Sequence, residues 1–291
     1  MELGRYGVFV FTDMLAPDAL AQLAKRIESL GYSTLWYPEG MKYESMALAG
    51  FLLGNTSKLI VASGIANIYA RDASAAGMGH NSLNSCYDER FVLGLGVSHE
   101  NLVNGLRGHD YGKPLTSMRN YLDAMDRSWE AFDNTPAQKQ VMLAALGPKM
   151  TELAAERTLG ALPYNVTPEH AATARKILGP DALLCCEQKI CLCDDADTAR
   201  AAARGALAMY LTAPNYFNNW FRLGFDESDL ENGGSDRLMD AMVFWGSEDQ
   251  IRAKLQGYFD AGANQIVVQT IRSDGVPGPD WDALEAFAPG T

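Results

Sequence analysis

Two strand ends in this sequence carry side chains that could transfer protons. His99 follows the apolar run RFVLGLGV at residues 90–97, with Glu100 beside it, and Glu39 ends the run STLWYPE at residues 33–39. Histidine titrates near neutral pH, and a carboxylate at the end of a strand can donate a proton or contact a ligand. We take His99 as the first candidate for proton transfer and Glu39 as the second. A salt bridge from Glu39 to a loop cation such as Lys42 explains that carboxylate equally well.

Gly147 and Pro148 form the best anion site of the sequence. They introduce a predicted helix at residues 149–158. The free N–H groups and the positive end of the helix dipole attract a phosphate, and glycine lets that phosphate come close. Gly-Pro is also an ordinary way to begin a helix. The pair gains weight only if the fold brings it to the same face as the other candidate residues.

The stretch LIVASGIANIYARD at residues 59–72 changes from apolar to polar at Ser63. Its first half is typical of a buried parallel strand, and in a barrel the polar residues that follow a strand line the functional face. Gly94 and Gly96 fall on one side of the next strand. They indicate either close approach of a ligand or of another backbone, or room for bulky neighbours inside a barrel, and both interpretations stay open.

Eight alternations of strand and helix predict an α/β fold, the parallel (β/α)8 TIM barrel. We expect a single domain over residues 1–291, with an aromatic, Asn-rich and Gly-rich insertion at about 213–246 between strands seven and eight. An open doubly wound sheet is the second candidate, disfavoured because the first turn, FTDMLAPD, lacks a glycine-rich phosphate loop. The strands are predicted at residues 6–11, 33–39, 59–63, 90–97, 141–146, 160–165, 183–192 and 265–270.

Composition and charge restrict the classes of partner. The formal net charge is -12 and the pI is about 4.8, and Lys and Arg do not cluster, so nucleic acid and anionic membranes are poor partners. Without a long apolar run or a basic, apolar leader, we expect a soluble, cytoplasmic protein. No metal site is predicted. The cysteines are expected to be small buried apolar residues in a reduced compartment: Cys86, Cys185, Cys186, Cys191 and Cys193.

Absent motifs narrow the chemistry. The sequence contains no GxSxG elbow, no HExxH and no P-loop, so covalent serine hydrolysis, zinc peptidase activity and nucleotide kinase activity are not predicted. What remains is a barrel that holds a phosphate-bearing cofactor beneath a few acid or base groups. That arrangement suits redox chemistry, in which the cofactor carries out the difficult step.

The sequence resembles the bacterial luciferase-like barrels, and within them the branch that uses the deazaflavin coenzyme F420. The resemblance implies hydride transfer between C5 of the deazaflavin and a small organic substrate, which the sequence does not identify, and it implies a homodimer. It spans nearly the whole chain and rests on LWYPE at 35–39, SGIANIYARD at 63–72, RFVLGLGVSHE at 90–100, ALGPKMTELAAE at 145–156, LPYNVTPEH at 162–170 and DAGANQIVVQ at 260–269.

The same resemblance assigns roles to single residues. The bond between Gly64 and Ile65 would be a non-prolyl cis peptide that backs the central ring of the cofactor. Asn67 would lie near the polar edge of that ring, and Ser98 and His99 would stand where the substrate arrives. The phosphate would lie against Gly147 and Pro148, and Tyr37 is a further cofactor-binding candidate.

Two departures from the family pattern bear on these roles. Several deazaflavin enzymes carry a histidine after strand two, where this sequence has Glu39 and Gly40, so the proton donor stays open. The flavin branches use a Ser-rich loop after strand five, whereas this sequence has GPKM, which favours coenzyme F420 over FMN. The available cations for the coenzyme's acidic tail are Arg71, Arg107, Lys113 and Lys149.

Two alternatives to the deazaflavin enzyme stay open. One is an FMN-dependent, two-component monooxygenase of the luciferase type, and the other is a non-catalytic barrel that binds a cofactor or ligand. The aromatic part of the insertion, residues 216–225, would either cover the substrate or form an oligomer contact.

Overall fold

Parallel pairing closes the β-sheet of this protein into a barrel. A computed structural model describes residues 2–290. The strands are β1 (Tyr6–Phe9), β2 (Thr34–Tyr37), β3 (Ile60–Ser63), β4 (Ala66–Asn67), β5 (Phe91–Gly96), β6 (Val141–Leu143), β7 (Gly160–Ala161), β8 (Leu183–Leu192), β9 (Val243–Gly246) and β10 (Gln265–Thr270). They pair in the order β10-β1-β2-β3-β5-β6-β7-β8, and β10 also pairs with β8. All these ladders are parallel, which confirms the predicted eight-stranded TIM barrel.

Two short strands extend the barrel at its carboxyl end. β4 pairs with the last residues of β5, and β9 pairs with the last residues of β8. The sequence predicted only short helices in the insertion, so β9 is a correction. Its physical reason is that β7 covers only Leu183 and Leu184 of the long strand β8. The remaining edge of β8 needs hydrogen-bond partners, and β9 supplies them.

Helices surround the barrel, and proline begins several of them. Proline occupies the first turn of α1, α4, α5, α6 and α8, where its missing N–H has no acceptor in any case. The helices are α1 (Pro17–Ser29), α2 (Ser45–Gly54), α3 (Ala73–Cys86), α4 (Pro114–Ala131), α5 (Pro148–Arg157), α6 (Pro168–Leu178), α7 (Ala196–Leu207), α8 (Pro214–Arg222), α9 (Asp236–Met242), α10 (Glu248–Asp260) and α11 (Trp281–Ala286). A π-helical turn spans Asn101–Leu106, and 3₁₀ turns span Glu227–Asp229 and Glu231–Gly233.

Two strands are shorter than the sequence predicted. β6 and β7 stop well before residues 146 and 165, because the segments that follow them turn away to form the cavity described below. The predicted loop 99–113 contains the π-helical turn. Thr167 occupies the N-cap position of α6, but its side chain makes no cap hydrogen bond.

Apolar side chains fill the barrel interior. Phe9, Trp36, Val92, Met142 and Val267 belong to one cluster there, and all are almost completely buried. The indole N–H of Trp36 lies 3.0 Å from both Thr34 Oγ1 and Gln265 Oε1, so its polar atom is satisfied inside the core. A larger cluster joins the outer face of the strands to the helices.

A buried ion pair lies within β8. Lys189 Nζ is 3.0 Å from Glu187 Oε1, and both side chains are 1% exposed. Lys189 also donates to the side-chain oxygen of Asn165, and its ammonium lies 3.9 Å from the ring centroid of Tyr164. Burial lowers the pKa of Lys189, and the Glu187 carboxylate opposes that shift. The pair therefore joins β8 to the segment that follows β7.

The cysteines differ from one another in exposure. Cys185, Cys186 and Cys191 are buried, as predicted, and burial raises the pKa of Cys185 to about 12 and that of Cys191 to about 11. Cys86 is exposed, so the prediction of a buried residue was wrong there, because Cys86 is the last residue of α3 and lies on its outer side. Cys193 is partly exposed.

Among residues 2–290, no helix combines the length and apolar character needed to cross a lipid bilayer.

Candidate active site

A cavity of about 560 Å³ opens at the carboxyl ends of the barrel strands. This is the face on which barrel proteins carry their functional residues. Six of the candidate residues line it: Glu39, Gly64, Ile65, Ser98, His99 and Gly147. The fold therefore brings together residues that are more than one hundred positions apart in the sequence.

The peptide bond between Gly64 and Ile65 is cis, as the resemblance predicted. This bond follows β3, and backbone hydrogen bonds to the end of β2 and the residues after it hold both of its residues in place. Gly64 N donates to Tyr37 O at 2.7 Å, and Glu39 N donates to Ile65 O at 3.1 Å. The bulge thus presents Gly64 and Ile65 to the cavity on a fixed backbone.

Gly94 and Gly96 make room for this bulge. A Cβ atom on Gly94 would lie 1.9 Å from Ser63 O, and one on Gly96 would lie 2.4 Å from Ile65 Cγ1. Close approach of another backbone therefore applies at Gly94, and room for a bulky neighbour, the Ile65 side chain, applies at Gly96. Gly96 also lines the cavity, so it serves packing and cavity shape together.

His99 lies on the cavity wall directly after β5. Ser98 has a φ of 58°, and its carbonyl oxygen accepts a hydrogen bond from the Tyr111 hydroxyl at 3.2 Å. This turn directs the chain so that His99 faces the cavity and contacts the insertion, where its ring centroid is 6.0 Å from that of Tyr216. Burial lowers the pKa of His99, and a hydrogen bond with the Asn215 side chain opposes the shift. The imidazole is therefore neutral at neutral pH.

Glu39 is held by several donors. Its Oε1 accepts from Ser45 N at 3.2 Å and its Oε2 from Asn67 N at 2.8 Å. Its Oε1 also pairs with Arg71 Nη2, and the Glu39 side chain is only 4% exposed. The cation that pairs with Glu39 is Arg71, and not Lys42, whose Nζ donates to Leu15 O. Arg71, one of the cations predicted for the acidic tail of the coenzyme, is engaged by this carboxylate.

Three candidate residues do not line the main cavity. The Tyr37 side chain is fully buried against α2, where its hydroxyl donates to Ser45 O at 2.7 Å, because alternation along β2 turns it outward from the barrel. The Asn67 side chain accepts from Tyr69 N at 2.9 Å and stabilises the local turn. Pro148 lines a separate, second cavity. The cofactor-binding roles of Tyr37, Asn67 and Pro148 stay predictions.

Gly147 forms an open corner at the start of α5. It is the N-cap residue with extended backbone, and a Cβ atom added to it would have no other atom within 4 Å. Its carbonyl accepts from Met150 N and Thr151 N, both at 3.1 Å. The first N–H groups of a helix lack acceptors within the helix, so this corner can accommodate an anion against the backbone.

Aromatic residues form part of the wall of the main cavity, and they were not among the predicted site residues. Tyr164, Tyr210, Tyr216 and Phe9 line the cavity, and the Tyr164 hydroxyl lies 3.1 Å from the Tyr210 hydroxyl and 2.9 Å from Gln269 Oε1. Tyr210 and Tyr216 come from the region between β8 and β9, so this region covers the cavity. The sequence signal was the aromatic character of the insertion, but it did not indicate which rings face inward.

The remaining histidines lie away from the main cavity. His80 is buried in α3, and its Nε2 accepts from Gln140 N at 3.1 Å, so it has a structural role. His109 is exposed. His170 is 7% exposed and lines the second cavity, which no sequence signal had indicated.

The fold and the cavity define a class of protein: a TIM barrel with one large, partly aromatic cavity at the carboxyl ends of its strands, of the size that cofactors occupy. Comparison with known families makes the assignment specific. The chain belongs to the luciferase-like monooxygenase family, whose model matches residues 5–265. This confirms the family resemblance found in the sequence.

Individual relatives are distant but cover nearly the whole chain. A protein of Mycobacterium tuberculosis named as a coenzyme F420-dependent oxidoreductase is 23% identical over 314 residues, covering 87% of this chain and 90% of the relative. An F420-dependent secondary alcohol dehydrogenase, solved with an F420-acetone adduct, superposes with a TM-score of 0.78 at 14% identity, over 99% of this chain and 97% of that one. The oxygenating constituent of 3,6-diketocamphane monooxygenase from Pseudomonas putida, solved with FMN, gives 0.72 at 13% identity, over 100% and 98%.

Proposed function

We propose that this protein is an oxidoreductase that transfers a hydride between coenzyme F420 and a small organic substrate. The observation that carries the proposal is the single cavity that collects Gly64, Ile65, Ser98, His99 and Gly147. The name of the mycobacterial relative and the ligand of the alcohol dehydrogenase support coenzyme F420 as the cofactor. Bound there, the deazaflavin would supply the hydride-transferring carbon, and the protein would supply orientation and proton transfer.

The cavity has the features that a phosphate-bearing ring cofactor needs. The corner at Gly147 has free space and N-terminal helix N–H groups for a phosphate, and the bulge at Gly64 and Ile65 gives a rigid wall for a ring. Lys149 follows Pro148 and is exposed at the same corner, where it can add a positive charge. Since Arg71 is paired with Glu39, the predicted cations that remain for an acidic tail are Arg107, Lys113 and Lys149, and Arg222 also lines the main cavity.

We infer that His99 moves the proton and that Glu39 is a positioning residue. His99 is neutral, half-buried and directed at the cavity, so it can accept a proton from an alcohol-type substrate and return it in the reverse direction. Glu39 is engaged with Arg71 and with the backbone of Asn67, so it holds the end of β2 against the segment after β3. This interpretation moves Glu39, our second proton-transfer candidate, to a supporting role.

Titration with each cofactor tests the proposal. Binding to the protein should quench or shift the fluorescence of coenzyme F420, and this change should be saturable. FMN should bind at least tenfold more weakly. Tighter binding of FMN, reduced or oxidised, would favour the two-component monooxygenase. Binding of coenzyme F420 without turnover of any alcohol, aldehyde or ketone in a substrate panel would favour the non-catalytic barrel, and binding of neither cofactor would remove the basis of both enzyme hypotheses.

We further propose that residues 1–291 form one domain and that the protein is a cytoplasmic homodimer. Support for the dimer comes from two neighbouring helices on the barrel exterior, α2 and α3. Phe51 on α2 is 38% exposed and Met78 on α3 is 62% exposed. Exposed large apolar side chains on adjacent elements are typical of a surface that packs against another chain.

A further inference from the structure

A second cavity, of about 330 Å³, lies beside the main one. Its walls come from the first turn of α5, from α6 and from α8, with Pro148, Thr151 and Thr173 among the residues that line it. Leu146 and Arg222 line both cavities, so the two cavities adjoin at these residues. The volume is roughly ten times the ~30 Å³ that one water occupies in the liquid, so a small ionic group fits.

Two polar side chains in the wall of this cavity each have one buried polar atom without a partner in the described part of the chain. His170 is 7% exposed and Asn219 is 1% exposed. Within residues 2–290, neither His170 Nε2 nor Asn219 Nδ2 has a hydrogen-bond partner. Buried polar atoms are nearly always paired, so two unpaired ones in the wall of one cavity point to a ligand that supplies the missing partners.

The charge at this cavity is positive. Arg222 is its one permanently charged lining residue, and no Asp or Glu lines it in the part of the chain that the structure describes. Arg222 Nη2 donates to Asn219 Oδ1 at 3.1 Å, which fixes the amide so that its Nδ2 group remains as a free donor. Burial and the neighbouring Arg222 lower the pKa of His170 to about 4, while Asn219 opposes the shift, so the imidazole is neutral and adds no charge.

We propose that the second cavity binds an oxyanion, either a carboxylate or a phosphate group, held by the Arg222 guanidinium, the Asn219 amide and the His170 imidazole. Arg222 supplies the charge, the amide supplies N–H groups, and the position at the N-terminus of α5 adds the positive end of a helix dipole. The anion would belong to an acidic group of the substrate or to the acidic tail of the coenzyme. The site goes beyond the proposed function, because its binding of an anion requires neither cofactor nor turnover.

Histidine NMR on the full-length protein tests the site directly. The chain has four histidines, so the imidazole signals can be assigned by single His→Asn variants. Titration with sodium phosphate, at ionic strength held constant with sodium chloride, should move the His170 signals saturably. Sodium acetate in a parallel titration distinguishes the anion class: a response to both indicates a general oxyanion site, and a response to phosphate alone indicates a phosphate site. His99 serves as the reporter for the main cavity.

Two variants and a matched control connect the response to the cavity. Arg222→Gln should weaken phosphate binding at His170 at least tenfold. Thr173→Trp, at an exposed lining position, should block the second cavity and remove the His170 response while leaving His99 unaffected. Lys176→Gln, an exposed lysine on α6 that lines neither cavity, should bind phosphate like the wild type. Circular dichroism verifies that each variant is folded. Absence of any saturable His170 shift in the wild-type protein, or an unchanged shift in both folded variants, would overturn the proposal.

Addition of coenzyme F420 identifies the source of the anion. Displacement of phosphate from His170 by the coenzyme would show that its acidic tail occupies the second cavity. Simultaneous binding of both would indicate a substrate group. If the coenzyme does not bind while phosphate still shifts His170, the proposed function fails and the anion site stands.

Discussion

At the scale of single residues, His99 determines how pH should act on turnover. Its pKa is lowered by burial, so the folded protein releases this proton below the ordinary value of about 6.5. When the imidazole accepts a proton from the substrate, kcat/KM should rise as pH increases through this lowered pKa and then stay constant. In the reverse direction the protonated form acts, so kcat/KM should fall over the same range. Rate profiles in both directions measure this, with substrate and coenzyme subsaturating.

The variant His99→Ala should remove that pH-dependent limb. Loss of a general acid or base typically costs about 10²- to 10⁴-fold in rate. Affinity for coenzyme F420 should remain close to that of the wild type, because the ring contacts the bulge at Gly64 and Ile65 in the proposed arrangement. His109→Ala, in an exposed loop, is the control. Unchanged turnover in His99→Ala would exclude this residue from the mechanism.

Glu39→Gln tests whether this carboxylate positions the backbone or transfers a proton. The amide keeps the shape but loses the charge that pairs with Arg71, whose side chain is 9% exposed. A partner lost from a buried group costs about 1–3 kcal/mol, so the free energy of unfolding in urea should fall by that amount. Glu44→Gln removes the more exposed partner of the same arginine and should cost less. Full stability together with a lost limb in the pH profile would instead favour Glu39 as a proton donor.

At the scale of elements, Gly96 at the end of β5 and Gly147 at the start of α5 should respond differently to one added methyl group. Gly96→Ala places Cβ 2.4 Å from Ile65 Cγ1, so the bulge must move, and stability should fall by about 1–3 kcal/mol. Gly147→Ala meets no neighbour and has an extended backbone, so stability should be unchanged. If a phosphate lies against Gly147, affinity for coenzyme F420 should nevertheless fall in this variant.

Fluorescence titration and thermal unfolding of both variants make the comparison. Wild-type affinity in Gly147→Ala would argue against this corner as the phosphate site. Wild-type stability in Gly96→Ala would show that the bulge can adjust without cost.

Strand β8 depends on its buried ion pair. In Lys189→Met the Glu187 carboxylate loses its cation at 1% exposure, and breaking a buried pair costs about 3–5 kcal/mol. The double variant Lys189→Met with Glu187→Gln should recover part of this loss, because no uncompensated charge remains. Lys176→Met, on the surface of α6, is the control. Equal stability of the single and double variants in urea denaturation would show that the carboxylate is not the source of the cost.

At the scale of the whole molecule, the exterior of α2 and α3 should form the contact between two copies. Sedimentation velocity should give the mass of a dimer for the wild-type chain of 31.7 kDa, and Phe51→Glu combined with Met78→Glu should shift it toward the monomer. Phe132→Glu, which changes a side chain that is 77% exposed beyond α4, should leave the dimer intact. A monomeric wild type, or a double variant that remains fully dimeric, would contradict this arrangement.

The sequence by itself determined the architecture and part of the site. Periodicity and helix starts predicted the eight parallel strands, because a barrel strand buried on both faces is recognisable from local residues alone. The resemblance predicted the cis bond at Gly64 and Ile65, and strand ends directed attention to His99 and Gly147. These features depend on short segments, in which sequence and structure correspond directly.

Tertiary structure alone decided which side chains face one another. Arg71 was available on sequence grounds for an acidic tail, but the fold pairs it with Glu39, and Tyr37 turns outward to hydrogen-bond with Ser45. Segments far apart in the chain also meet at two other places. One is the contact between Tyr164 and Tyr210, and the other is the cavity lined by His170, Asn219 and Arg222. A local pattern contains no information about such distant neighbours, because only the folded chain brings these segments together. The acid-base groups were therefore predictable as candidates, and their partners were decided by the fold.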